Sequence, residues 1–245
     1  MNIRGATVRN VLAQFIVAAA LLCSGCGKTY QVNVSGLSTG TLSTRQSYVL
    51  LPAQQDTDAE DLQFKEFVGY LEKALLRKNL TRANSAAEAD VAIFLGYGIG
   101  KPQEHLYSYS LPNWGQTGVS SAYTTGSINT YGNRSTFSGT TTYTPTYGIN
   151  GYSTHVGSYT THTRFMFADA IDLRSYRQSR QIQKLWSTTA TSTGSSGDLR
   201  EIFPALVVAA EPSLGVNTGQ QVAVEVSEGS QRLNEIRAKA ADGSN

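Results

Sequence analysis

Apolar and polar positions follow two periods along this chain, and together they assign an element to most of it. Tyr30, Val32 and Val34 alternate with polar residues, the period of a strand buried on one face. The rest of residues 26–46 is rich in Ser, Thr and Gly and reads as a tether or as part of that first strand. Tyr48 to Pro52 is a short apolar run closed by proline, which predicts a buried strand. Phe64, Phe67, Val68, Leu71 and Leu75 then recur at helical spacing and predict an amphipathic helix over 58–79. Thr57 or Asp58 can cap its start, and Arg77 and Lys78 suit the negative end of its dipole. Ala89 to Tyr97 reads as a strand. So do residues 163–173, with Phe165, Phe167, Ile171 and Leu173 on one parity, and Gln183 to Thr193, with Leu185 and Trp186. Leu199, Ile202, Phe203, Leu206, Val207 and Ala210 form a second helical stripe, in which Pro204 predicts a kink or a late start. Gln220 to Val226 alternates as a last strand, and the residues after Glu228 predict a short helix that then frays.

These elements predict an α+β domain in two parts, 47–104 and 164–230, with a polar tail over 231–245. The expected architecture is a mainly antiparallel sheet with two helices on one face. The loops are too short, and the strands too clustered, for a doubly wound parallel sheet.

Between the two parts the composition changes. Residues 105–163 contain no Asp or Glu and are dominated by Gly, Ser, Thr and Tyr. Eight of the 13 tyrosines fall between Tyr107 and Tyr159, joined by Trp114 and Phe137. An unstructured loop of this length is unusual inside a compact domain. Thr and Tyr favour strands, and Thr140 to Tyr147 partly alternates, so the segment reads as a long β-hairpin. The scarcity of aliphatic residues supports the opposite reading, a flexible low-complexity segment. Aromatic rings among hydroxyl groups suit stacking on sugars, and extended edges suit association with a protein. The contacts to which either reading points are Tyr107, Tyr109, Trp114, Tyr143, Tyr147, Tyr152 and Tyr159. A passive segment with no ligand fits the same composition.

The amino terminus adds a location. Arg4 and Arg9 precede a 12-residue run, Val11 to Leu22, interrupted by Gln14 and followed by Ser24 and Gly25. This is the three-part pattern of an export signal over 1–25. The run is too short for a bilayer-spanning helix, which needs about 20 residues. Leu22-Cys23-Ser24-Gly25-Cys26 resembles the lipobox of bacterial lipoproteins, with Cys23 where Leu is usual. That resemblance implies cleavage before Cys26 and acylation of its thiol, which would tie the protein to a membrane. By the sorting rule of enteric lipoproteins, Gly27 rather than Asp after the cysteine implies the outer membrane, facing the periplasm. Gly25-Cys26-Gly27-Lys28-Thr29 ends like a phosphate-binding loop, but Leu22 stands where that loop needs its first glycine. Removal of Arg4 and Arg9 leaves 18 basic and 18 acidic residues, and this balance leaves nothing to suggest a nucleic-acid partner, which would need a basic stripe. Cys26 is then the only cysteine, so no internal disulfide can form.

Tests for chemistry fail on spacing. His105, His155 and His162 are the only histidines, and no His-Glu-x-x-His unit occurs. Gly151-Tyr152-Ser153-Thr154-His155 begins like a nucleophile elbow, but His155 stands where the strained turn needs glycine. Asp169 and Asp172 have an odd separation and point to opposite faces of a strand. No cofactor or metal is indicated.

One family resemblance remains. A strand ending in proline (Tyr48 to Pro52), an amphipathic helix (Phe64 to Leu80), an Ala-Asp-Val strand (Ala89 to Leu95) and paired strands ending in tryptophan (Phe165 to Leu173, Trp186) are similar to small Gram-negative envelope lipoproteins carrying a domain of unknown function. The resemblance spans 48–210; the 105–163 insertion and Cys23 depart from it. It implies an envelope location and an α+β fold, and it supplies no catalytic residue. The expected function is a non-catalytic, lipid-anchored assembly, scaffolding or protein-binding role. A glycan- or peptidoglycan-binding module is the alternative, and a hydrolase the weaker one.

Overall fold

The computed structural model describes residues 27–40 and 46–238; the export signal and Cys26 lie outside the described residues. The chain divides into two units, one of residues 1–103 and 161–245 and the other of residues 104–160.

In the first unit, the strands are β1 (Thr29–Ser38), β2 (Ser47–Pro52), β3 (Thr81–Arg82), β4 (Val91–Ile99), the end of β6 (Arg134–Asp172), β7 (Lys184–Gly194) and β8 (Val222–Ser227). Their order across the sheet is β3-β2-β4-β6-β7-β1-β8. The helices are α1 (Leu62–Arg77), α2 (Leu173–Ser179), α3 (Leu199–Ala210) and α4 (Gln231–Arg237), with a 3₁₀ turn at Glu211–Ser213.

This corrects the expected fold class. The sheet is mixed, strand accounts for 54% of the structure, and four helices stand among the described residues rather than two. β2 runs parallel to both β4 and β3, with Tyr48 opposite Val91 and Leu50 opposite Ile93. The cause is α1. A parallel pair needs a crossover of a dozen or more residues, and the helix between β2 and β4 supplies it. The remaining neighbours along this order pair antiparallel: β4 with β6, β6 with β7, β7 with β1 and β1 with β8.

Each element follows from its residues. Asp61, rather than Thr57 or Asp58, caps α1: its carboxylate accepts from the backbone N–H groups of Gln63 (2.8 Å) and Phe64 (2.9 Å). The helix ends in a Schellman motif. Asn79 takes the left-handed conformation at φ 60°, its N–H donates to Leu76 O, and the Leu80 N–H donates to Leu75 O. Leu80 is buried where the chain turns back. α3 starts at Leu199, ahead of Pro204, so the proline does not delay the helix; it sits buried inside it and removes one backbone donor.

One core lies between one face of the sheet and α1, α3 and α4. Tyr30, Val32 and Val34 of β1, Ile93 and Leu95 of β4, Met166, Ala168 and Ala170 of β6 and Trp186 of β7 supply the sheet side. Phe67 of α1 and Phe203 of α3 stack at 3.9 Å and 7°, with Tyr97 edge-on to both. α4 belongs to this core and not to a polar tail, because Leu233 and Ile236 are fully buried. On β6 the parity is the reverse of a core reading. The small residues Ala168 and Ala170 face the helices, while Phe165, Phe167 and Ile171 are half-buried on the other face. There the Phe167 and Phe165 rings lie over Gly96 and Gly98 of β4, where a Cβ would come within 2.2 Å and 2.8 Å of them. These glycines give two large rings a flat seat on the neighbouring strand.

In the second unit, residues 104–160 form a two-stranded hairpin from β5 (Gln103–Tyr131) and the first part of β6. Gly132 and Asn133 make the turn, with Gly132 at φ 59°. A two-residue loop with positive φ at its first position suits the twist of paired strands.

Candidate functional site

The hairpin carries the candidate contacts of the sequence. Tyr107 and Tyr109 are two residues apart on β5 and therefore share a face. Opposite them stand His155 and Tyr159 of β6. His105 and Tyr159 stack at 4.9 Å, Tyr107 lies 6.2 Å from Tyr159 and 5.9 Å from Tyr109, and Tyr109 stacks on His155 at 5.6 Å. The result is a continuous ribbon of five rings. Gly157 makes room for it, since a Cβ there would sit 2.7 Å from the Tyr107 ring. The three tyrosines remain 44–55% exposed, so the ribbon is open to a ligand. Trp114, Tyr143, Tyr147 and Tyr152 are also exposed on the hairpin but enter no ring pair among the described residues. His105 and His155 were not among the contacts read from the sequence; the signal that could have found His155 is its i, i+4 relation to Tyr159 on one strand face.

The rest of the hairpin is held by hydroxyl pairs. Thr124 and Thr141 meet at 2.8 Å, Thr130 and Ser135 at 2.9 Å, and Ser121 donates to Thr144 at 3.1 Å. Such cross-strand pairs contribute about 0.2–1 kcal/mol each. Arg134 is the only Lys or Arg between residues 105 and 163. Along residues 134–160, β6 pairs only with β5, and β5 pairs with no other strand. Both outer edges of the hairpin therefore present unpaired backbone N–H and C=O groups among the described residues.

The geometry around Ser153 offers little to catalysis. Its Oγ lies 3.1 Å from His155 Nε2, but it donates to Asn113 Oδ1 at 3.1 Å. No Asp or Glu lies between residues 105 and 163, no carboxylate is bonded to the imidazole among the described residues, and His155 is exposed on a strand rather than set in a cleft. Asp169 and Asp172 have structural roles. Asp169 accepts from Lys184 Nζ (2.7 Å) and Ser187 Oγ (2.5 Å), and Asp172 caps α2 through Ser175. No group of three or more His, Cys, Asp or Glu could hold a metal ion among the described residues. No helix there is long and apolar enough to cross a membrane.

The sequence reading missed a buried cation in the first unit. Arg164 on β6 faces the helices at 3% exposure. Its guanidinium donates to the carbonyls of His162 (3.0 Å) and Ser196 (3.2 Å) and to Ser192 Oγ (3.2 Å). Burial pushes its pKa down, and the nearby Glu201 opposes that shift. Glu201 itself accepts from Lys28 and from Ser196 Oγ, and the Lys28 bond holds its carboxyl below the usual range. This network ties Lys28, just ahead of β1, to β6, β7 and α3.

No family model matches the chain, and no curated protein does. Among solved structures it is similar to a PDZ domain protein from Parabacteroides distasonis, at 12% identity and a TM-score of 0.37. That likeness covers 88% of this chain and 43% of the other, so the chain spans less than half the length of that protein. A TM-score this low assigns no shared fold.

Proposed function

We propose that the mature chain is a non-catalytic envelope lipoprotein, anchored through Cys26 and facing the periplasm at the outer membrane, that binds a protein partner through the 104–160 hairpin. The observation that carries this reading is the pair of open backbone edges on a long hairpin. An unpaired edge is a template for strand addition, in which main-chain hydrogen bonds supply affinity and alternate side chains supply selectivity. A lone two-stranded hairpin is also marginal in water, so pairing an edge stabilises the hairpin itself.

Crosslinking in whole cells, followed by affinity purification, tests this with a 106–162 deletion as control. One envelope protein enriched with the full chain and absent with the deletion is the expected result; equal enrichment from both refutes it. The mass of the mature protein tests the anchor, and an unmodified Cys26 or cleavage elsewhere removes it.

The five-ring ribbon favours a second reading, glycan or peptidoglycan binding, because half-exposed aromatic rings gathered on one strand face suit contact with the C–H surfaces of sugars. That reading requires retention on peptidoglycan sacculi, lost when Tyr107, Tyr109 and Tyr159 are changed to Ala.

A further inference from the structure

The hairpin has two different faces over residues 114–149. Cross-strand contacts fix which residues share a face: Thr124 with Thr141, Gly126 with Phe137 and Thr130 with Ser135 on one side, and Thr117 with Gly148 and Ser121 with Thr144 on the other. Strand parity extends both sets. The first face carries Trp114, Ile128, Phe137, Tyr143, Tyr147 and Ile149, with small or uncharged residues between them. The second carries Thr136, Ser138, Thr140, Thr142, Thr144 and Thr146, with Val119, Tyr123 and Tyr131 its less polar members. The single charge, Arg134, lies on the polar face beside the turn.

We propose that hairpins from several copies of this chain close edge to edge into a β-barrel that spans a bilayer, with the aromatic face towards the acyl chains and the threonine face towards the lumen. This rests on the reading above that the hairpin edges take a protein, and it names that protein as a second copy of the chain. Three observations converge on it. Six large apolar side chains on one face against three on the other is the bias of membrane strands, and the Thr124–Thr141 and Thr130–Ser135 hydroxyls of the apolar face bond to each other. The absence of Asp, Glu and Lys from residues 105–163 leaves no such charge to desolvate, where a Lys or Arg on the lipid face at mid-bilayer costs about 2–4 kcal/mol. The two free edges must be paired in lipid, where no water satisfies them, and identical hairpins pair them without remainder by closing a ring. From Trp114 to Ile128 the strand rises roughly 45 Å, or about 35 Å at a 40° tilt, which covers an apolar band of about 25 Å and its interfaces. The smallest outer-membrane barrels have about eight strands, so two strands per copy require about four copies or more.

The test uses the full acylated chain in phosphatidylethanolamine–phosphatidylglycerol vesicles. Single cysteines, Thr140→Cys through Pro145→Cys, are labelled with an environment-sensitive dye and mixed with excess unlabelled protein. Quenching by lipid-attached nitroxides is expected to alternate, at least about twofold stronger at 141, 143 and 145 than at 140, 142 and 144, with crosslinked species of four or more copies. Equal quenching at all six positions overturns the barrel. An oligomer without that alternation, or a different protein bound through the hairpin, overturns the barrel and leaves partner binding standing. A monomer that captures nothing overturns both.

Discussion

Phe203 joins α3 to α1 and to β4, and its truncation tests whether the core is built as described. The side chain is fully buried, stacked on Phe67 at 3.9 Å and edge-on to Tyr97 at 5.9 Å. Phe203→Ala removes a ring from a packed site and costs about 3–5 kcal/mol, of which the lost ring pair accounts for about 0.5–1.5 kcal/mol. For a domain of this size about 4 kcal/mol lowers Tm by roughly 8–16 °C. The two tryptophans make the assay specific: Trp186 is 3% exposed in the first unit, whereas Trp114 is 73% exposed on the hairpin. In a Trp114→Phe background, urea unfolding followed by Trp186 fluorescence therefore reports the core alone. Phe203→Leu, which keeps most of the volume, is expected to cost less than about 1.5 kcal/mol. A loss below about 1.5 kcal/mol for Phe203→Ala, or equal losses for the two variants, would refute the stacked arrangement.

Two further outcomes follow from the sheet. Gly96→Ala places a methyl within 2.2 Å of the Phe167 ring, so it should cost about 1–3 kcal/mol, and combining it with Phe167→Ala should recover part of that loss in a double-mutant cycle. Asp90 is held below the ordinary carboxylate range chiefly by the Ser47 backbone N–H, at 2.9 Å, and also by Arg174. Because its folded pKa lies below the unfolded value of about 3.9, its contribution is complete above that value and disappears as pH falls through the folded pKa. Urea midpoints measured from neutral pH into acid should thus fall less steeply for Asp90→Asn than for the natural chain, and parallel curves would contradict the assignment.

What the sequence shows depends on how local each cause is. The alternation of Tyr30, Val32 and Val34 and the stripe from Phe64 to Leu75 describe single faces, and both are buried as those periods require. The parallel direction of β2 was not legible, because it depends on where α1 returns the chain and not on any residue of β2. Which face of β6 meets the core was not legible for a related reason. Hydrophobicity alone favours Phe165 and Phe167 as core, yet the alanines fit beneath the helices while the rings need the space over Gly96 and Gly98. Arg164 escaped notice because a buried cation whose hydrogen bonds go to neutral oxygens leaves no pattern of charge pairs. At the candidate site Tyr107, Tyr109 and Tyr159 were identified from composition. Gly132-Asn133, the strongest turn signal in the hairpin, went unused although it sets the register of both strands.

The position of β1 has a consequence for how the chain reaches this fold. The first described strand is flanked by two of the last, with Asn33 opposite Thr191 and Val32 opposite Val224. Contacts of such separation make folding slow, since the entropy of closing a long loop is lost before any contact rewards it. At a synthesis rate of roughly 5–20 residues per second, β1 waits on the order of 10–40 s for β8. Until β7 and then β8 emerge, Tyr30, Val32 and Val34 lack their sheet neighbours, an exposure that favours aggregation. The β1 side of the sheet therefore closes only after residues 184–227 have been made, whereas β2, α1 and β4 can pair without waiting for them.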